Sequence, residues 1–310
     1  MEIQNNAVKE LFEPGSTFKT MSMMVGMDEG KIVMDEPVYC HKGAYNGFSA
    51  RQVMYDHNYR RGGYDTLTTT EILMYSSNIG IAKLIHRGYK DNPQAFVDAV
   101  KRTGIDSHFT MQLIGTAAPV INRDGYWDAT RLPWMSTGYN LQLPVINTLA
   151  FYNAIANDGK MVEPRLIREV RRGDEVVEEI PVRVVNDKIC KESTLKDVQY
   201  MLEKVVSEGL AKQAGSKYFK SAGKTGTAQV GYGGNGRTTH MVSFCGYFPA
   251  DNPQYSCIVS IRTSPEMHGD ASGGGMAGPV FREISEKVMA TRLYRDVELA
   301  IDSALYTAPK

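Results

Sequence analysis

Gly223-Lys224-Thr225-Gly226-Thr227-Ala228-Gln229-Val230 decides how the rest of the chain is read. Gly223-Lys224-Thr225 matches the end of a phosphate-binding loop, but that motif needs a glycine at position 218 and a helix afterwards. Position 218 is Tyr218, and residues 227–230 continue as strand. Residues 218–230 are therefore the first of three strands, followed by 240–248 and 255–263. A Gly-Gly-Asn-Gly loop at 233–236 and an Asp-Asn-Pro turn at 251–253 join them, which predicts an antiparallel meander. Gly226 has no side chain, so a substrate backbone can come close to the strand there. Lys224, Thr225 and Thr227 are suited to hold a terminal carboxylate.

The 310 residues are enough for one large domain, or one domain of two lobes, with a substantial core. The 35 basic and 35 acidic residues cancel, leaving no global field that would favour nucleic acid or an anionic membrane surface. No run of 18 apolar residues occurs and the first ten residues are polar, so the chain as it stands is expected to be soluble. Cys40, Cys190, Cys245 and Cys257 form no C-x-x-C pair and read as structural, and two buried thiols on neighbouring strands look the same in sequence as an oxidised pair. On their own they do not fix the redox compartment. His41, His57, His86, His108, His240 and His268 are scattered, with no carboxylate at metal-ligand spacing, so neither metal nor cofactor is expected. His240, which opens the strand beside that of Lys224, is the histidine closest to the motif by sequence.

After the Glu13-Pro14-Gly15 turn, residues 16–25 read as a buried helix with Met21, Met23 and Met24 as adaptable packing. Short strands are expected at 31–34 and 37–40. Residues 65–82 read as a helix, with Thr69 or Thr70 as cap and Glu71 in its first turn. A further helix runs from 92 to 104, with Asn92 as cap and Pro93 at the first helical position. Residues 144–157, 193–208 and 279–293 read as helices, Gly209 stopping the second. Residues 165–180 form a charged hairpin turning at 172–174. A mostly helical lobe (28–135) and a sheet-bearing lobe (1–27 and 136–310) follow from this order.

Three short motifs occur in sequence: Ser16-Thr17-Phe18-Lys19, Ser76-Ser77-Asn78 and Lys224-Thr225-Gly226-Thr227. S-x-x-K says little alone, since it starts at Ser16, Ser193 and Ser221. Ser193 reads as a helix cap, and Ser221 belongs to the strand of Lys224. Ser16 differs in having a Pro-Gly turn before it and a buried helix after it. Positions i and i+3 share a helix face, which puts Lys19 within reach of the Ser16 hydroxyl. A serine hydroxyl needs an adjacent base to act as nucleophile. Lys19 can be that base only when neutral, a state that burial and a nearby like charge promote; Lys224 can supply the charge. Ser76-Ser77-Asn78 alone would be a loop or cap cluster. With the other motifs, Ser76 is placed to relay a proton to a leaving amine, and Asn78 to hold Lys19 and a substrate amide. The backbone N–H groups of Ser16 and Thr227 are the natural donors to a developing oxyanion.

On these motifs the chain resembles the transpeptidase domain of class B, monofunctional penicillin-binding proteins. Glu13-Pro14-Gly15, Ser77-Asn78-Ile79-Gly80, Ser136-Thr137-Gly138-Tyr139, Ala156-Asn157-Asp158-Gly159 and Gly278-Pro279-Val280-Phe281 extend the likeness over nearly all of it. Septal, division-type members are the most similar. The resemblance implies an α/β (α+β) fold of the serine β-lactamase type, an antiparallel sheet flanked by helices plus a mostly helical lobe. It implies that Ser16 attacks the penultimate D-alanyl carbonyl of a peptidoglycan stem peptide, that D-alanine leaves, and that a neighbouring stem's amine resolves the acyl-enzyme. β-Lactams would acylate the same serine. Implied partners are stem peptides, β-lactams and membrane proteins of cell division or elongation, with no nucleic acid. The implied location is the outer face of the inner membrane, through an upstream anchor and pedestal domain that this chain lacks. Two strands of the family's five-stranded sheet are also not visible, which would leave the 255–263 edge unpaired and prone to associate.

Related chemistries use the same residues. A serine β-lactamase needs a device to activate the deacylating water, and no E-x-x-L-N segment lies between Asn78 and Lys224. A D,D-carboxypeptidase would use water as acceptor, and the acceptor site has no short motif. From a different class, the chain could be a β-lactam-sensing domain or an inactive scaffold; the presence of Ser16, Lys19, Ser76, Asn78 and Lys224 together argues against the inactive scaffold.

Overall fold

The computed structural model describes residues 5–122, 124–230, 239–263 and 271–307, with side chains up to 292. The 3-10 turn Gly15–Phe18 leads directly into α1, Lys19–Asp28. The predicted helix at 16–25 thus divides in two, with Ser16 in the tight turn. Every residue of α1 from Lys19 to Gly26 is buried, as befits a helix enclosed by protein on all sides.

Residues 31–34 form no strand. The Lys31 and Ile32 N–H groups both donate to the Gly26 carbonyl, at 2.9 and 3.1 Å, so this segment closes the open end of α1 instead of pairing. Ile32 lies so close over Gly26 that a Cβ there would be 2.4 Å from its Cδ1. β1 (Pro37–Tyr39) follows, then the hairpin of β2 (Ala44–Ser49) and β3 (Gln52–Tyr55).

The single helix expected over 65–82 is three elements. β4 (Thr66–Thr68) pairs antiparallel with β1, α2 spans Thr69–Met74, and α3 spans Asn78–Tyr89. Thr68, not Thr69 or Thr70, caps α2: its hydroxyl accepts from Glu71 N at 3.2 Å, and the Glu71 carboxylate accepts from Thr68 N at 2.9 Å. The break between α2 and α3 puts Ser76 at φ 55°, a conformation uncommon outside glycine and typical of functional sites.

α4 (Pro93–Arg102), α5 (Arg131–Ser136), α6 (Val145–Ala156) and α7 (Glu192–Ser207) complete the helices around α1. Asn92 precedes α4 without a side-chain capping bond, and Lys191, not Ser193, sits at the start of α7. α1 packs against α3, α4 and α7. The charged hairpin forms as expected, from β5 (Glu169–Arg172) and β6 (Glu175–Glu179).

β7 (Ala222–Val230), β8 (Thr239–Phe248) and β9 (Tyr255–Arg262) make the antiparallel meander in that order. The 233–236 loop lies outside the described residues. Among these residues β9 pairs with β8 alone. α6 covers one face, where Cys245 meets the Thr148 carbonyl. α8 (Gly278–Thr307), longer than the expected 279–293, covers the other, where Phe281 packs edge-on against Phe244 at 4.6 Å. Cys245 pairs with Ile258 and Cys257 with Gly246, so the two thiols point to opposite faces. All four cysteines are free. No helix among the described residues is long and apolar enough to cross a membrane.

Candidate active site

Three glycines bring the Ser16 turn against β7. Gly15 N donates to the Gly138 carbonyl at 3.1 Å, and both glycines have positive φ, 54° and 90°. A Cβ on Gly138 would lie 2.1 Å from the Gly15 carbonyl oxygen, and one on Gly15 would lie 2.8 Å from that of Thr227. At Gly226 a side chain would strike Ser243 Oγ at 2.4 Å and Thr17 at 2.9 Å. The empty space at Gly226, expected to admit a substrate backbone, is taken on that side by the protein itself. Thr17 donates to the Pro14 carbonyl at 2.8 Å, and the Tyr152 hydroxyl on α6 donates to the Thr17 carbonyl at 2.9 Å. Ser16 is half-buried within this rigid frame.

Lys19 and Lys224 are both enclosed, at 1 % and 0 % exposure. The Lys19 ammonium donates to the Ser76 carbonyl at 2.6 Å, to Ser76 Oγ at 3.2 Å and to Asn78 Oδ1 at 2.6 Å. Lys224 donates to the carbonyl and hydroxyl of Thr225, at 3.2 and 3.4 Å. Burial pulls Lys19 down to about 7, against the opposing pull of the Asp56 carboxylate. Burial also holds Lys224 well below the ordinary lysine range, and the Lys19 charge pushes it further. Desolvation is the leading cause for both lysines, and the repulsion between two ammoniums this close acts on each of them.

The structure brings Lys19, Ser76 and Asn78 into one hydrogen-bonded cluster. Asn78 gives its oxygen to Lys19 but also donates from Nδ2 to the Tyr55 carbonyl at 2.7 Å, so part of the donor capacity expected to face a substrate goes to the backbone. Thr225 is buried, Thr227 half-buried and Gln229 exposed, so the strand opens progressively outward. Beyond it a cavity of about 710 Å3 is lined by Glu13, Arg131, Trp134, Tyr139 and Gln229. Trp134 meets Tyr139 edge-on at 5.6 Å on that wall.

Two residues near the lysines escaped sequence reasoning. Asp56, 1 % exposed, accepts from Ser77 Oγ at 2.8 Å, Asn78 N at 2.6 Å and Ile79 N at 3.1 Å. His57 is held below the usual histidine range by burial and then by the Lys19 charge, with Lys224 adding to it. His57, not His240, is thus the histidine beside the lysines. His240 stands in the ladder opposite Gln229, its N–H bonded to Thr263 Oγ1 at 2.9 Å. No sequence signal marks Asp56, since its partners lie more than twenty residues downstream. Among the described residues, no group of three or more His, Cys, Asp or Glu converges as a metal site would require.

Comparison with known proteins shows the family. The model of the penicillin binding protein transpeptidase domain matches residues 2–286. Penicillin-binding protein PbpB of Mycolicibacterium smegmatis is 27% identical over 92% of the chain. Peptidoglycan D,D-transpeptidase FtsI of Escherichia coli K12 is 27% identical over 93%. The chain spans 44% and 45% of these two curated relatives. Penicillin binding protein 3 from Mycobacterium tuberculosis, solved with aztreonam, superposes with a TM-score of 0.79 at 26% identity, covering 94% of this chain and 65% of that one. A family model spanning almost the whole sequence makes this chain a member of the penicillin-binding protein transpeptidase domain family.

Proposed function

We propose that the chain is the acyl-transfer domain of a peptidoglycan D,D-transpeptidase, with Ser16 as nucleophile and Lys19 as the base that activates it. One observation carries the reading: an enclosed lysine, held at about 7, bonded to both Ser76 and Asn78. In the forward step Ser16 Oγ bonds to the penultimate D-alanyl carbonyl carbon while its proton passes to Lys19 Nζ. The Ser16 and Thr227 N–H groups stabilise the carbonyl oxygen as it becomes negative. The C–N bond then breaks as Ser76 Oγ passes its proton to the departing amine and takes the one held on Lys19 Nζ, and D-alanine leaves an ester on Ser16. An amine from a second stem then bonds to the ester carbonyl carbon as the C–O bond to Ser16 breaks, its proton passing to Lys19 and from there to Ser16 Oγ. Lys224, Thr225 and Thr227 hold the terminal carboxylate of the donor, and β-lactams, like the aztreonam and ampicillin held by the mycobacterial relative, enter as imitators of that end. Septal cell-wall synthesis at the outer face of the inner membrane, beside membrane proteins of division, is the setting in which such a domain works.

Intact-mass analysis after exposure to a penicillin tests the assignment. The wild-type chain gains one adduct and Ser16→Ala gains none. Equal labelling of both would mean the nucleophile is elsewhere.

A further inference from the structure

Asp56 does more than an N-terminal cap requires. α3 already has one: Ser77 Oγ accepts from Gly80 N at 2.9 Å. Onto this cap Asp56 adds bonds from Ser77 Oγ, Asn78 N and Ile79 N, taking up two N–H groups that have no partner within the helix. Its carboxylate also lies where the helix end favours negative charge. The residue it grips most closely, Asn78, is the one whose side-chain oxygen holds Lys19 Nζ at 2.6 Å. A charged carboxylate, enclosed and one residue removed from the candidate base, acts on that base in two ways, through bonds and through space.

Other titratable groups face the same cluster. Lys224 reaches the site from β7 as a second lysine, and His57 is disfavoured as a cation by burial and by both lysines. Arg61 bears on His57, and Lys83 on Cys40. Cys40 and Tyr64, which also feel Asp56, are pushed up to about 11 and about 12 and stay neutral. Asp56 is the carboxylate that bears on Lys19, and it raises the lysine's hold on its proton while burial lowers it.

We infer that Asp56 is a positioning residue for acyl transfer: through Ser77 and Asn78 it fixes the place of Lys19 Nζ, and its negative charge governs how readily that amine takes the Ser16 proton. The inference rests on the reading of Lys19 as base.

The test is the rate of Ser16 acylation by a penicillin, followed by intact mass from about pH 5 to about pH 9, in wild type, Asp56→Asn and Asp56→Glu. Below the point where Lys19 is protonated the rate falls about tenfold per pH unit, so the wild type shows an acid limb centred at about 7. Removing the Asp56 charge lets burial act alone, and the limb of Asp56→Asn moves down by roughly one pH unit or more, with a lower plateau. Asp56→Glu keeps the charge, so its limb does not fall below that of wild type even where its plateau does. A purely structural role would lower the plateau of Asp56→Asn and leave its limb in place, which overturns the inference. Should Asp56→Asn not fold, a limb lowered in Asp56→Glu overturns it equally. Absence of any wild-type adduct at Ser16 would instead sink the proposed function.

Discussion

Around Ser16, the charged groups Lys19 and Lys224 are enclosed by protein, each held by named acceptors. In the hairpin β5–β6, all five residues of β6 are exposed, and Arg171 meets Glu169 at 2.7 Å in reach of solvent. An exposed ion pair of that kind contributes about 0–1 kcal/mol. A charged lysine in the interior costs far more, and burial answers part of that cost by weakening the amine's hold on its proton. Charge in the hairpin stays in contact with water; charge at the Ser16 site is enclosed among specific acceptors. The difference shows where a single atom matters and where a whole side chain does not.

Gly138→Ala should have the largest effect of the substitutions that separate the two regions. Its new Cβ falls 2.1 Å from the Gly15 carbonyl at a φ of 90°, and thermal or urea unfolding should show a loss on the order of 3 kcal/mol. Acylation by a penicillin should drop at least about tenfold, since a shift of Gly15 moves Ser16 with it. A variant of wild-type stability and rate would mean the frame is looser than the contacts imply. At the small end stands Val177→Thr in β6, 51 % exposed. It should stay within about 0.5 kcal/mol of wild type, with acylation unchanged. A larger loss would assign the hairpin a packing role that its exposure contradicts.

Legibility in the sequence follows the same division. Ser16, Lys19, Ser76, Asn78 and Lys224 stand out because each occupies a short motif on the element its task needs, and the meander was marked by turn residues. The break at 75–77 was hidden because Ile72, Leu73, Ile79 and Ile81 keep an apolar pattern across it. Asp56, a tertiary partner that no local window contains, holds the start of α3 beyond the break. Residues 31–34 look extended for a related reason: Ile32 and Val33 have strand character, yet their neighbours' N–H groups are claimed by the end of α1. His57 gave no signal because a histidine's role depends on which charges fold beside it.

The account turns on Lys19 losing its proton near neutrality, and an NMR titration of the lysine side-chain amines reads that directly, with Lys19→Arg identifying the signal. The account predicts a midpoint at about 7. A midpoint near 10.5, the ordinary value for lysine, would contradict it, because a lysine protonated at neutral pH cannot take the Ser16 proton.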